Sequence, residues 1–289
     1  MDGKLWRRLY RIVMRLGDSG RGPRQQYADW EILAWYLWAA LNDRPAAWLA
    51  QSTSLPAGLK SRRRPSAATL SRRLRSSAIT ALLGRLERLL TTPRQGRLCK
   101  YIDGKPLPVG HASKDSAARF GRRTKGYRIH VIVDENHAIY ARSVRSNDVS
   151  EVRVAEELIP QLAPGGYLVG DGEYDASTLH DLAHARGHQL IAPRARPGTG
   201  FGHCRQSPAR KRCCALLEKD PWIDNGFGAA LVNARRQVER FFGNLTSFAG
   251  GLGPLPPWVR TLPRVERWVQ AKLAINAVRI ELKNNDLGR

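Results

Sequence analysis

Tyr127-Arg-Ile-His-Val-Ile-Val-Asp-Glu-Asn-His-Ala-Ile-Tyr-Ala-Arg-Ser-Val144 carries the change of period that decides the fold. Tyr127, Ile129, Val131 and Val133 alternate with Arg128, His130 and Ile132, the two-residue period of a strand. Asp134-Glu135-Asn136 turns the chain, and Ala138 to Val144 reads as the returning strand of a hairpin. Upstream, Leu98 to Asp103 is a further strand. Downstream, a helix (Val152 to Leu162) leads through Pro164-Gly165-Gly166 into the apolar run Tyr167-Leu168-Val169. Thr178 to Arg186 then reads as helix and His188 to Ala192 as strand. Three early strands followed by alternating helix and strand predict an α/β unit, a mixed sheet flanked by helices. Residues 193–230 read as an irregular basic insertion, 231–246 as a helix, and Arg264 to Lys283 as a last helix.

Before Pro93 the period is that of helices. Trp30, Leu33, Ala34, Leu37, Trp38 and Leu41 recur at three and four. Ser66 is placed to cap a short helix through Arg75, with Leu70 and Leu74 inward and Arg72, Arg73 and Arg75 outward as a DNA-reading face. Another helix carries Ile79, Leu82, Leu83, Leu86, Leu89 and Leu90 and ends at Thr91-Thr92-Pro93. Two domains follow, 1–92 helical and 93–289 built on the sheet.

The charge narrows the function. Lys and Arg number 48 against 25 Asp and Glu, a net +23 over 289 residues. A field of that size recruits polyanions, nucleic acid first. The longest apolar run, Ile32 to Leu41, is about half of what a bilayer core requires, so no membrane partner is expected. Cys99, Cys204, Cys213 and Cys214 are too few and irregular for a disulfide framework, which places the chain in a reducing, cytoplasmic setting. His203-Cys204 with Cys213-Cys214 matches no standard zinc spacing.

Acids are sparse in the second half. Asp103 and Asp171 each stand where an apolar strand meets a glycine, the edge at which open α/β sheets bind ligands, although Asp-Gly is also a common turn pair. Glu239 lies at the rim of the stripe Leu231, Ala234, Val238, Phe241, Phe242 and Leu245, one turn after Arg235. Three acids from two strands and one helix suit two Mg²⁺ (or Mn²⁺) ions, which favour carboxylate oxygens. Two metals roughly 3.5–4 Å apart stabilise both oxygens of an in-line phosphoryl displacement.

Tyr101-Ile-Asp103-Gly-Lys-Pro-Leu, Gly170-Asp-Gly-Glu-Tyr-Asp-Ala-Ser and Arg235-Arg-Gln-Val-Glu239-Arg-Phe-Phe-Gly-Asn-Leu resemble the DDE transposases of bacterial insertion sequences, families four and five. The resemblance covers about residues 96–282, with consecutive acids 68 positions apart. It implies an RNase H-like fold, with Asp103 on the first strand, Asp171 after the fourth and Glu239 on the following helix. It implies an all-helical end-binding region before it. The implied activity is Mg-dependent cutting and rejoining of DNA at terminal inverted repeats, by a homodimer in the bacterial cytoplasm at the nucleoid. The resemblance also points Arg235, Arg236 and Arg240 to DNA, with Lys105 and Lys125 as phosphate contacts. Val232 and Thr246 stand where relatives of family four often carry Tyr and Lys; stepping 100° per residue puts both on one helical band with Arg235 and Glu239. A decayed transposase that only binds DNA, a nuclease on the same fold and a basic RNA-binding protein stay open as alternatives.

Overall fold

Residues 3–17, 26–60, 62–109, 113–196, 206–218 and 226–287 are described by the computed structural model. The chain divides into two compact units: Pro93–Gly243, and Met1–Thr92 together with Asn244–Arg289. Four helices open the second of these. α1 (Gly3–Leu16) buries Leu5, Trp6, Leu9 and Val13 along one face and leaves its basic residues outside. α2 (Asp29–Leu41) is apolar nearly all round and is accordingly the central helix, with Ile32, Leu33, Trp35 and Leu37 fully buried. α3 (Ala67–Arg73) is capped as its sequence predicts: the Ser66 hydroxyl accepts the Thr69 amide at 3.2 Å. Leu70 and Leu74 point inward. α4 (Ser77–Thr91) starts at the Ser76 cap and stops at the expected boundary.

One expectation on α3 is corrected. Arg73 turns inward, pairing with Asp29 at 2.5 Å and donating to the Tyr27 carbonyl at 3.0 Å. Its charge is spent on the fold, so only Arg72 and Arg75 remain exposed there.

The Pro93–Gly243 unit is built on a six-stranded mixed sheet. β1 (Cys99–Pro108), β3 (Lys125–Val133) and β4 (Ile139–Ser146) form the antiparallel part, and the two-residue β2 (Arg119–Phe120) also pairs with β3. β5 (Tyr167–Val169) adds parallel to β1, and β6 (Gln189–Ile191) parallel to β5. α5 (Glu151–Leu158) and α6 (Ser177–Ala185) cover one face, over Ile102, Ile132, Leu168 and Leu190. α7 (Pro208–Leu217), α8 (Phe227–Ala234) and α9 (Arg236–Thr246) as far as Gly243 complete the unit. Of these, α7 and α8 pack against β6 and against each other.

Three expectations change here. β1 runs five residues past Asp103, because Gly104 stays in the strand opposite His130 and does not turn the chain. A Cβ at Gly104 would meet the Arg128 and His130 side chains at 3.0 Å, so the glycine is there for space. Asp171 follows the fifth strand in chain order, the extra one being β2. The basic insertion is not wholly irregular: α7 starts at Pro208, with Ser207 accepting the Arg210 amide. Cys213 and Cys214 are buried thiols on that helix, while His203, Cys204 and Arg205 lie outside the described residues.

α10 (Leu262–Leu287) ends the chain. It groups with α1–α4, not with the sheet, so the expected 93–289 domain does not coincide with a compact unit. Lys272 shows why. Its fully buried ammonium donates to the Ala40 carbonyl at 2.6 Å, the Gly250 carbonyl at 2.9 Å and Asp43 at 2.6 Å. Burial pushes its pKa down and the Asp43 carboxylate pushes it back up.

Candidate active site

β1 positions the first acid. The pleat sends Ile102 into the core beneath α5 and α6, and sends Asp103 to the opposite face. There its Oδ1 accepts the Gly104 amide at 2.7 Å. β5 positions the second. Asp171 stands two residues beyond Val169, and its Oδ1 accepts the Glu173 amide at 2.9 Å. β1 and β5 are parallel neighbours, so the two acids are brought to one region of the sheet. Gly170 precedes Asp171 because the Tyr174 ring packs over it; a Cβ there would lie 2.7 Å from that ring.

The third acid arrives on α9. Val238, Phe241 and Phe242 are buried, as the apolar stripe predicts, and Phe241 meets the His137 ring of the β3–β4 turn. Glu239 stays at the rim, with 57% of its side chain exposed. The single helix expected over 231–246 is two, α8 and α9, joined at Arg235. The Arg235 amide bonds back three residues to Val232 at 3.0 Å. The even 100° stepping from Val232 to Arg235 therefore does not hold through the joint.

Arg235 is where the three acids meet. Its Nη1 lies 3.4 Å from Asp103 Oδ2 and 3.9 Å from Asp171 Oδ2, and its Nη2 lies 3.1 Å from Glu239 Oε1. Carboxylates 68 residues apart in sequence thus converge on one guanidinium. Among the described residues no group of three His, Cys, Asp or Glu is drawn together tightly enough to hold a metal ion unaided. The three acids are linked by their ion pairs to Arg235. Burial raises the Asp103 carboxyl to about 6, although the Gly104 amide and Arg235 oppose that shift. Asp171 and Glu151 add negative charge and raise it further. A half-buried carboxyl crowded by other acids gains most from an added cation.

Arg236 and Arg240 are exposed beside Glu239. Lys105 lies on the Asp103 side of β1, its Nζ 5.8 Å from the Phe242 ring centre. Lys125 donates to the Ser113 carbonyl at 2.9 Å and braces the preceding loop. Arg235, expected to face DNA, faces the acids. The sequence reading missed Glu151, the first residue of α5. It pairs with Arg128 and is itself raised, chiefly by burial. Its only signal was the Ser150-Glu151 start of a helix. Glu173 pairs with Arg122 at 2.8 Å on the surface. Asp175 is buried and clamped by Arg210 through two 2.7 Å bonds, so it belongs to the scaffold.

A family model described as "Transposase DDE domain" matches residues 94–252, more than half of the chain. A search of curated proteins gave no match. The match spans the whole sheet together with Asp103, Asp171 and Glu239, the residues that the fold gathers around Arg235. The chain belongs to the family of transposases that carry a DDE domain.

Proposed function

We propose that this protein binds the terminal inverted repeats of an insertion sequence and catalyses Mg-dependent strand cleavage and strand transfer, with Asp103, Asp171 and Glu239 as its catalytic and metal-holding residues. Membership of the family implies DNA as partner and metal-dependent polynucleotidyl transfer as reaction. The single observation that carries the finer reading is the convergence of the three carboxylates on Arg235.

The donor set suits the metal by its chemistry, not by its spacing in this structure. Three carboxylates surround one cationic group, and an oxygen-only donor set suits Mg²⁺ or Mn²⁺. Asp103, Asp171 and Glu239 would hold the ions. When bound, the two ions supply Lewis-acid stabilisation and an activated water or 3′-hydroxyl. The chain does the rest. β1 carries Asp103, the turn after β5 carries Asp171, and α9 presents the exposed Glu239. Arg235, beside all three acids, would contact the phosphodiester. Arg236, Arg240 and Lys105 line the approach, and the α1–α4 region, through Arg72 and Arg75, holds the duplex end. A homodimer on paired ends in the bacterial cytoplasm completes the proposal. Among the described residues no helix is long and apolar enough to cross a membrane.

The test uses supercoiled DNA carrying the sequences that flank this reading frame. The wild type should nick and join in Mg²⁺, and Asp103→Asn, Asp171→Asn and Glu239→Gln should each lose at least about a thousandfold in cleavage while binding the ends as before. Cleavage at the wild-type rate by any of the three would remove that residue from the site. Val232 and Thr246 favour a second reading, a decayed transposase that binds without cutting; an inactive wild type with intact end binding would establish it.

A further inference from the structure

The helical unit carries a cavity of about 460 Å³, of whose lining only Arg75 has a place in the proposed reading. It opens between the end of α2, one face of α3 and the start of α10. Arg44, Arg75, Arg264 and Arg267 surround it, and Trp258 forms part of its wall. Ala67 and Ser71, one turn apart on α3, keep that side open. An adjoining cavity of about 330 Å³ shares Arg75 and Arg267.

The lining holds four arginines and no carboxylate. None of the four arginines forms an ion pair among the described residues; Arg264 reaches only the Trp258 carbonyl, at 3.2 Å. The Trp258 indole N–H is buried without an acceptor. Among the described residues Glu266, the carboxylate of the adjoining cavity, forms no ion pair with any of them. Arg267 is half-buried, and its proton affinity is lowered by burial and by Arg264 and Arg75 beside it, while Tyr36 opposes the shift. Four uncompensated cations around one concavity define an anion site, and an aromatic wall defines a place for a planar ring. A duplex is too wide to enter such a space, whereas a single nucleotide matches its volume and its chemistry.

We propose that this cavity is a nucleotide subsite. Arg44, Arg75, Arg264 and Arg267 take the phosphate, and Trp258 takes the base of an unpaired nucleotide in a DNA strand. The proposal rests on the reading of this chain as a protein that acts on DNA, but not on its catalysis.

The experiment measures equilibrium binding of the full chain, in chelator and at fixed salt, to a blunt duplex and to the same duplex with four unpaired nucleotides at one end. The wild type should prefer the second DNA by about tenfold. Arg44→Gln with Arg75→Gln, both exposed positions, should bring that ratio close to one. Trp258→Phe should keep the ratio and Trp258→Ala should lose it. Millimolar deoxyadenosine monophosphate should erase the preference where the site also accepts a free nucleotide, and inorganic phosphate at the same concentration should not. A wild-type ratio of one, or a ratio unchanged in the double arginine variant, overturns the proposal; erasure by phosphate alone overturns the role of the base. Because no cleavage occurs in chelator, failure of the catalytic reading leaves this result standing, and the reverse.

Discussion

Asp103 has a folded-state carboxyl raised to about 6 by burial. An unfolded aspartate titrates near 3.9, so the native state holds the proton more tightly than the unfolded chain does. The stability this contributes is fully present below about pH 4 and is lost as pH rises through about 6. Above that the ionised group costs about 2–3 kcal/mol. Asp103→Asn should therefore melt higher than the wild type at pH 8 without divalent ions, the gap closing towards pH 4, by calorimetry. A gap independent of pH would contradict the assignment. Gly170→Ala should cost about 1–3 kcal/mol in urea unfolding, because the added methyl meets the Tyr174 ring at 2.7 Å. At this scale the sequence reveals much but not all. Asp103 and Asp171 were legible because acids are rare beside apolar runs. The outward placing of Arg73 fails because its partner is set by the fold, Asp29 lying 44 residues away; the contact of Arg235 with Asp103, 132 residues away, is hidden from the sequence for the same reason.

Among the elements, β5 was legible to the residue, since glycines bracket a short apolar run at Tyr167–Val169. α7 lies inside the stretch 193–230 expected to be irregular; Pro208 stands at its first position, where a missing amide costs nothing. What holds α7 is the Asp175–Arg210 clamp. Burial opposes ionisation of Asp175, yet the paired bonds from Arg210, with His180 and the Ala195 amide, hold its carboxyl well below the usual carboxylate range. Arg210→Met leaves a carboxylate only 2% exposed without its cation, and should destabilise the sheet unit by about 3–5 kcal/mol. Urea unfolding measures this, and a loss under 1 kcal/mol would show that the clamp is dispensable. The joint at Arg235 was invisible for a different reason: the residues on both sides of it favour helix, and only the geometry around the acids shows the break.

Across the whole molecule, composition spoke first. A net charge of +23 predicts DNA binding that falls steeply with salt, by about a thousandfold between 50 and 200 mM for six or more phosphate contacts. Titrations at four salt concentrations measure the slope, and a flat response would remove the electrostatic role of the surplus. The boundary at Pro93 was legible from the change of period; the grouping of α10 with α1–α4 was not, because helical periodicity does not name the partner that Lys272 finds in Ala40, Asp43 and Gly250. The central claim is that one site, kept in order by Arg235, receives divalent ions on Asp103, Asp171 and Glu239. Its most direct measurement is anomalous scattering from crystals of the full chain grown with Mn²⁺. The account predicts a manganese peak between the Asp103 and Asp171 carboxylates, with the Arg235 guanidinium withdrawn from both. Saturating Mn²⁺ that leaves all three Arg235 contacts in place, with no peak among the acids, would contradict it.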